Sequence, residues 1–281
     1  MRNINMSYYN VYYYCNIIDN LLRLFVNGGV DYANTAAQFT EPYFEEEPES
    51  FPRYSALHDF CDFVIRRLMF EDSEKICEAI QETYDSLDEV PKDVRLQQAF
   101  YSAGLGKDSL MEIDCLLKMY NMKHQTFLGY LLQRDFDDIL DEYSEFMSFD
   151  EEIDTSIVRL SHEVFYILFK NREFLYRFNS YLASVNPHRV QRGNIPQWVK
   201  RAVKYRDRGK CVCCRRDLSG ELDCEDAALV HFDHMVSLHS GGLNDVSNIQ
   251  LLCQKCNLEK SSDSYTSNIY KDWYDCDFDL Y

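Results

Sequence analysis

Apolar residues recur three and four positions apart through most of this chain, and strand-like patterning is nearly absent before residue 185. In "RYSALHDFCDFVIRRLMF", Leu57, Phe60, Cys61, Val64 and Leu68 stand at i, i+3, i+4, i+7 and i+11, one face of a 3.6-residue period. "DSEKICEAIQETYDSL", "PKDVRLQQAFYSAGLG" and "HQTFLGYLLQRDFDDILDEYSEFM" follow the same spacing, and Pro91 early with Gly104 and Gly106 late punctuates one of them. The opening "MRNINMSYYNVYYYCNIIDNLLRLFVNGG" reads as a helix rather than a signal peptide, because Asn16, Asp19, Asn20 and Arg23 break its apolar run. A loop, "TEPYFEEEPESFP", interrupts the helices around Pro42, Pro48 and Pro52, and no fixed-period repeat marks a solenoid.

The pattern changes at "SVNPHRVQRGNIPQ". Residues 1–185 are expected to form an all-helical domain, 186–195 a linker, and 196–281 a second, small domain. After the linker, "PQWVKRAVKYRDRG" reads as a basic helix with Pro196 in its first turn and Gly209 at its end. Further on, "ALVHFDHMVSL" and "NIQLLC" read as strands joined by the loop "SGGLNDVS", and "QKCNLEKSS" begins a helix. The predicted fold class is therefore mainly α, with a C-terminal strand, strand, helix unit.

Charge sharpens this division. The 281 residues carry a net charge of -18, yet residues 1–185 hold 16 Lys and Arg against 33 Asp and Glu, while 186–281 hold 13 against 14. Arg189 to Arg216 contains ten basic residues and one acid, Asp207, which is a local footprint for a polyanion. The acidic runs of the front region read as solvated helix faces, its aromatics as core, and His58, His124 and His162 as structural histidines. No stretch of about eighteen apolar residues occurs, so no membrane partner is expected. Eleven cysteines, an odd number scattered mostly through helices, fit a reducing cytoplasmic setting better than a disulfide framework.

Four cysteines break that scatter. Cys211-x-x-Cys214 and Cys253-x-x-Cys256 are two knuckles, each offering a pair of thiolates to a tetrahedral Zn²⁺ with no open position, a structural site. Cys211-x-Cys213 is an alternative pairing; the two-residue spacer favours Cys214 and leaves Cys213 and Cys224 as bystanders.

With these residues in place, the segment 196–262 resembles the HNH endonucleases, which show a Cys-x-x-Cys, an Asp-His on a strand, a Gly-Gly loop, an Asn before "LLC", and a helix opening on Cys-Asn or Cys-His. The resemblance implies a ββα-metal nuclease hydrolysing DNA to a 5′-phosphate and a 3′-hydroxyl. It makes His234 the general base, since imidazole titrates near neutrality. Asp233 and Asn257 become oxygen ligands for Mg²⁺ or Mn²⁺. The residue matching Asn248 fixes the loop and the orientation of the base. Lys260, Arg215 and Arg216 are expected to contact phosphate, with Lys204 and Arg208 on the DNA-facing rim. Asn257 stands where many members have His, and Ser237 where many have Pro. His231 and His239 flank the centre and read as structural, with phosphate or metal binding as the alternative for either.

Nucleases fused to unrelated helical domains resemble effectors of prokaryotic defence against phage. By that analogy the acidic front would sense a protein or ligand partner, and removing residues 1–185 would change regulation rather than chemistry. RNA as substrate, an oligomeric state, and a non-cleaving zinc module that binds nucleic acid or protein stay open.

Overall fold

The structure is a computed structural model and describes residues 8–27, 30–84, 91–102, 112–120, 151–220 and 229–264. The expected helix over 124–147, Cys224 and the aromatic, acidic tail "YKDWYDCDFDLY" lie outside the described residues. Among the described residues eight helices precede the first strand: α1 Tyr8–Val26, α2 Val30–Tyr43, α3 Ala56–Tyr84, α4 Lys92–Ser102, α5 Glu112–Met119, α6 Glu151–Leu168, α7 Arg172–Val185 and α8 Gln197–Arg206. Then come β1 Val230–His234, β2 Ile249–Cys253 and α9 Gln254–Lys260. The two segments read as separate helices around residue 70 are one helix, α3, because nothing between Met69 and Ser73 breaks the period. Among the described residues no helix is long and apolar enough to cross a membrane.

The chain divides into two compact units, residues 1–11 with 61–163 and residues 12–60 with 164–281. In the first, Arg66 pairs with Asp62 and Asp154, and Arg159 lies 4.5 Å over the Tyr120 ring. Buried Val64, Ile65, Ile153, Ile157 and Leu160 supply apolar packing there.

The second unit holds the strand pair. Its helical part has an aromatic core in which Phe60 meets Phe25, Phe39 and Phe178 with ring centroids 6.1, 5.0 and 5.4 Å apart. β1 and β2 form a two-stranded antiparallel sheet whose register sets Asp233 opposite Gln250 and His234 opposite Ile249. So short a sheet is marginal by itself. Here β2 is buried along its whole length, and α8 packs its Val199 and Val203 face inward.

A charged network ties α7 to β2. Asp207, fully buried after α8, receives Arg172 Nη1 at 2.9 Å, the Arg206 fork at 2.8 and 3.0 Å, and the Leu251 N–H at 2.9 Å. Arg172 also donates to Gln250 Oε1 at 2.8 Å. Burial alone would raise the Asp207 carboxyl, but the two guanidiniums hold it below the usual carboxylate range. Residue 186, where the sequence places a boundary, falls inside this unit. The segment 186–195 has the composition of a linker, yet it is fastened at several points: Asn186 Nδ2 donates to Gly241 O at 3.1 Å, and His188 Nε2 lies 2.8 Å from Phe44 O.

Candidate active site

The first knuckle turns at Cys211–Arg216, closed by Arg215 N–H to Cys211 O and Cys211 N–H to Arg216 O, both 2.9 Å. Arg215 takes the left-handed conformation, φ 65°, that such a turn requires. Val212 N–H donates to Leu251 O at 3.0 Å and brings the knuckle to the end of β2, where the second knuckle passes into α9. The Sγ atoms of Cys211, Cys214, Cys253 and Cys256 thereby lie within 4.8 Å of one another. A tetrahedron with Zn–S bonds of about 2.3 Å has edges of about 3.8 Å; Cys214 and Cys253 Sγ are 3.7 Å apart. Cys211 is held far below an ordinary thiol, first by the Cys213 thiol that donates to it and then, against its burial, by the backbone N–H groups of Cys214, Cys253 and Cys213. The cluster suits a soft cation, with Cys214 rather than Cys213 as its fourth member.

β1 ends on the Asp-His pair, which lines a cleft of about 750 Å³ together with Arg189, Arg192, His239 and Lys260 among others. The loop from β1 to β2 is built around its asparagines and glycines. Asn248 Nδ2 donates to Val236 O and Leu243 O, both at 3.0 Å, and its Oδ1 accepts from Val236 N–H at 2.9 Å. Asn248 O also accepts from Met235 N–H at 2.6 Å, beside the base. Gly241 has φ 88°, and a Cβ there would stand 2.6 Å from Ala183 O of α7; a Cβ on Gly242 would strike Val236 O. Ser237 caps the short turn Leu238–Ser240: its hydroxyl accepts from Ser240 N–H.

His234 is buried, and its Nε2 lies 3.1 Å from Asn244 Oδ1. Burial pushes the imidazole below its ordinary value and Arg192 and Lys260 add to this, against Asn244 and Asp233. A neutral ring at pH 7 is the state a proton acceptor needs. Asp233 Oδ2 is buried with Lys260 Nζ 2.8 Å away, and no well-directed hydrogen bond reaches it. Asn257 precedes Lys260 by three residues and shares its face of α9. A carboxylate oxygen without a directed hydrogen bond is a hard donor that suits Mg²⁺ or Mn²⁺, whereas Asn257 is half-buried and does not line the cleft.

The expected phosphate contacts are placed unevenly. Lys260 lines the cleft but is engaged with Asp233. Arg208, Arg215 and Arg216 are exposed, Lys204 is half-buried, and none of the four lines the cleft. Arg206, counted in the basic footprint, is an internal partner of Asp207. The cleft is also lined by His239, which is exposed, and by two arginines that sequence reasoning counted only in the basic run, Arg189 and Arg192 in the segment read as a linker. Their signal was present in the basic run, but it had no position until the segment was seen to fold back over the loop.

No curated protein and no solved structure matches the chain, and no family model matches its N-terminal region. Residues 211–263, which carry both knuckles, the strand pair and the Asp233–His234 dipeptide, match the family model of the HNH endonuclease.

Proposed function

We propose that the chain is a metal-dependent endonuclease hydrolysing phosphodiester bonds of DNA. The observation that carries this reading is the buried His234, its imidazole pushed below its ordinary value by burial, beside Asp233 in a cleft that Arg189 and Arg192 also line. In this reading the arginines and His239 draw a phosphate of the strand into the cleft. His234 accepts a proton from the attacking water, the new P–O bond forms, the bond to the 3′ oxygen breaks, and that oxygen takes a proton from solvent water, leaving a 5′-phosphate and a 3′-hydroxyl. Asp233 and Asn257 would hold Mg²⁺ or Mn²⁺, which when bound supplies charge neutralisation on the phosphate and the departing oxygen. Cys211, Cys214, Cys253 and Cys256 would hold Zn²⁺ as a structural ion that pins β2 to α9. The same reading extends, by analogy alone, to a defence effector whose helical region answers to a partner or ligand.

The test is cleavage of supercoiled plasmid by the full-length protein with Mg²⁺, Mn²⁺ or EDTA, beside His234→Ala. Metal-dependent nicking that disappears in the variant, with zinc content and DNA binding retained, is the expected result. Binding without cleavage under every cation would favour a non-cleaving zinc module, and cleavage restricted to an RNA substrate run in parallel would overturn DNA as the target.

A further inference from the structure

The contacts of Asn244 assign a role to a residue that the motif does not require. Asn244 is buried, and every polar group of its side chain is engaged. Its Nδ2 donates to Gln191 O at 2.7 Å and to Ser50 Oγ at 3.1 Å, while its Oδ1 faces His234 Nε2. A main-chain carbonyl only accepts, so Gln191 fixes which end of the amide is nitrogen. The other end is therefore an oxygen, and a carboxamide oxygen also only accepts. Hence His234 Nε2 carries a proton and donates it to Asn244 Oδ1, so that whenever the ring is uncharged Nδ1 carries the lone pair.

The support behind Asn244 is equally specific. Phe51 N–H donates to Asn244 O at 2.7 Å, and Phe51 holds φ 56°, a left-handed conformation that non-glycine residues adopt at a cost. Asn244 is thus gripped through both its side chain and its main chain by the Ser50–Phe51 turn, and Ser50, Phe51 and Gln191 all lie outside residues 211–263. Asn248, by contrast, spends its side-chain bonds on Val236 and Leu243.

We propose that Asn244 is the positioning residue for His234: its amide, oriented by Gln191 and Ser50, fixes the Nε2–H tautomer and leaves Nδ1 to take the proton. This rests on the reading of His234 as general base, and its test has an arm that does not need catalysis. Full-length protein with ring-¹⁵N-labelled histidine, studied by long-range proton–nitrogen correlation at a pH where the ring is neutral and assigned with His234→Ala, should show His234 as the Nε2–H tautomer. An Nδ1–H tautomer in the native protein would overturn the proposal whether or not Asn244 variants fold. In the second arm, Asn244→Ala should mix the tautomers and lower kcat for plasmid nicking about 10- to 100-fold, with KM for DNA changed less than about threefold and zinc content retained. An unaltered tautomer in Asn244→Ala, or a loss expressed in KM alone, would overturn it. If the native protein cleaves nothing, the nuclease reading fails, and the tautomer still decides what Asn244 does.

Discussion

Arg172 stands in α7, well before residues 211–263, yet its guanidinium is buried against Gln250, and replacing it with Met tests how far the strand pair depends on the helices. Arg172 is 1% exposed and Asp207 fully buried. Burial pushes the guanidinium down to about 10 despite the attraction of Asp207. Met keeps most of the apolar stem and deletes two charge-assisted bonds, each contributing about 1.5–3 kcal/mol. Gln250 Oε1 is left without that donor. Against this, Asp207 retains the Arg206 fork and one buried charge no longer needs desolvation, so the net loss should be about 3 kcal/mol, the low end for breaking a buried ion pair. That is roughly 150-fold in the folded-to-unfolded ratio. The assay is equilibrium urea unfolding of the full-length protein at fixed zinc, read by Trp198 in a Trp273→Phe background. Trp198 lies in α8 with the Arg53 guanidinium 4.6 Å above its ring, so its emission reports this unit. Arg23→Ala is the control: its pair with Asp19 is 52% exposed on the arginine side, and its loss should cost less than about 1 kcal/mol. A shift for Arg172→Met no larger than the control, at unchanged m-value, would refute the claim that this network holds α7 to the strand pair.

Other outcomes follow from the same geometry. A fragment of residues 186–281 lacks Arg172, Ser50, Ala56 and Asn179, so it should lose cooperative melting and cleave plasmid at under about a tenth of the full-length rate; full activity would restore the modular arrangement expected from composition. Cys214→Ser should release the zinc that Cys213→Ser retains, measured as metal per chain by mass spectrometry, and the reverse result would move the fourth ligand to Cys213. Arg189→Ala and Arg192→Ala should each flatten the dependence of log affinity on log salt by about one unit in a DNA-binding titration; no change in either would place the phosphates outside this cleft.

The local signals were the legible ones. Two Cys-x-x-Cys spacings, a branched and aromatic run ending in Asp233–His234, and Gly241–Gly242 each need only a few neighbouring residues to be read, and each stands in the element expected of it. The Gly-Gly pair even has two separate causes, the positive φ of Gly241 against α7 and the contact between Gly242 and Val236 O. What could not be read were pairings over long separations. Asp207 looks like a lone acid in a basic helix until Arg172 and Arg206 are seen around it, and the acidic loop around Ser50 looks solvated until its main chain meets Asn244. Composition cannot separate a free polar linker from a polar segment that is bonded in place, so 186–195 reads as a linker although Asn186 and His188 are hydrogen-bonded to Gly241 and Phe44.

The placement of those long-range contacts follows from how short the ββα unit is. Two strands of five residues each and a helix of seven cannot by themselves hold an imidazole to the tolerance that proton transfer demands. The loop between the strands is instead fixed at three points: Asn248 within it, Gly241 against Ala183 and Asn186, and Asn244 with Asp245 against residues 50–56. Asp245 completes the third, accepting from Ala56 N–H at 3.0 Å and Ser247 N–H at 2.8 Å while fully buried. Ser50 and Phe51 provide two of the four hydrogen bonds on Asn244, so displacing that turn would loosen the base without touching the cleft. If His234 is the general base proposed above, a shift of the residues that hold Asn244 would act on the chemistry without covering the cleft.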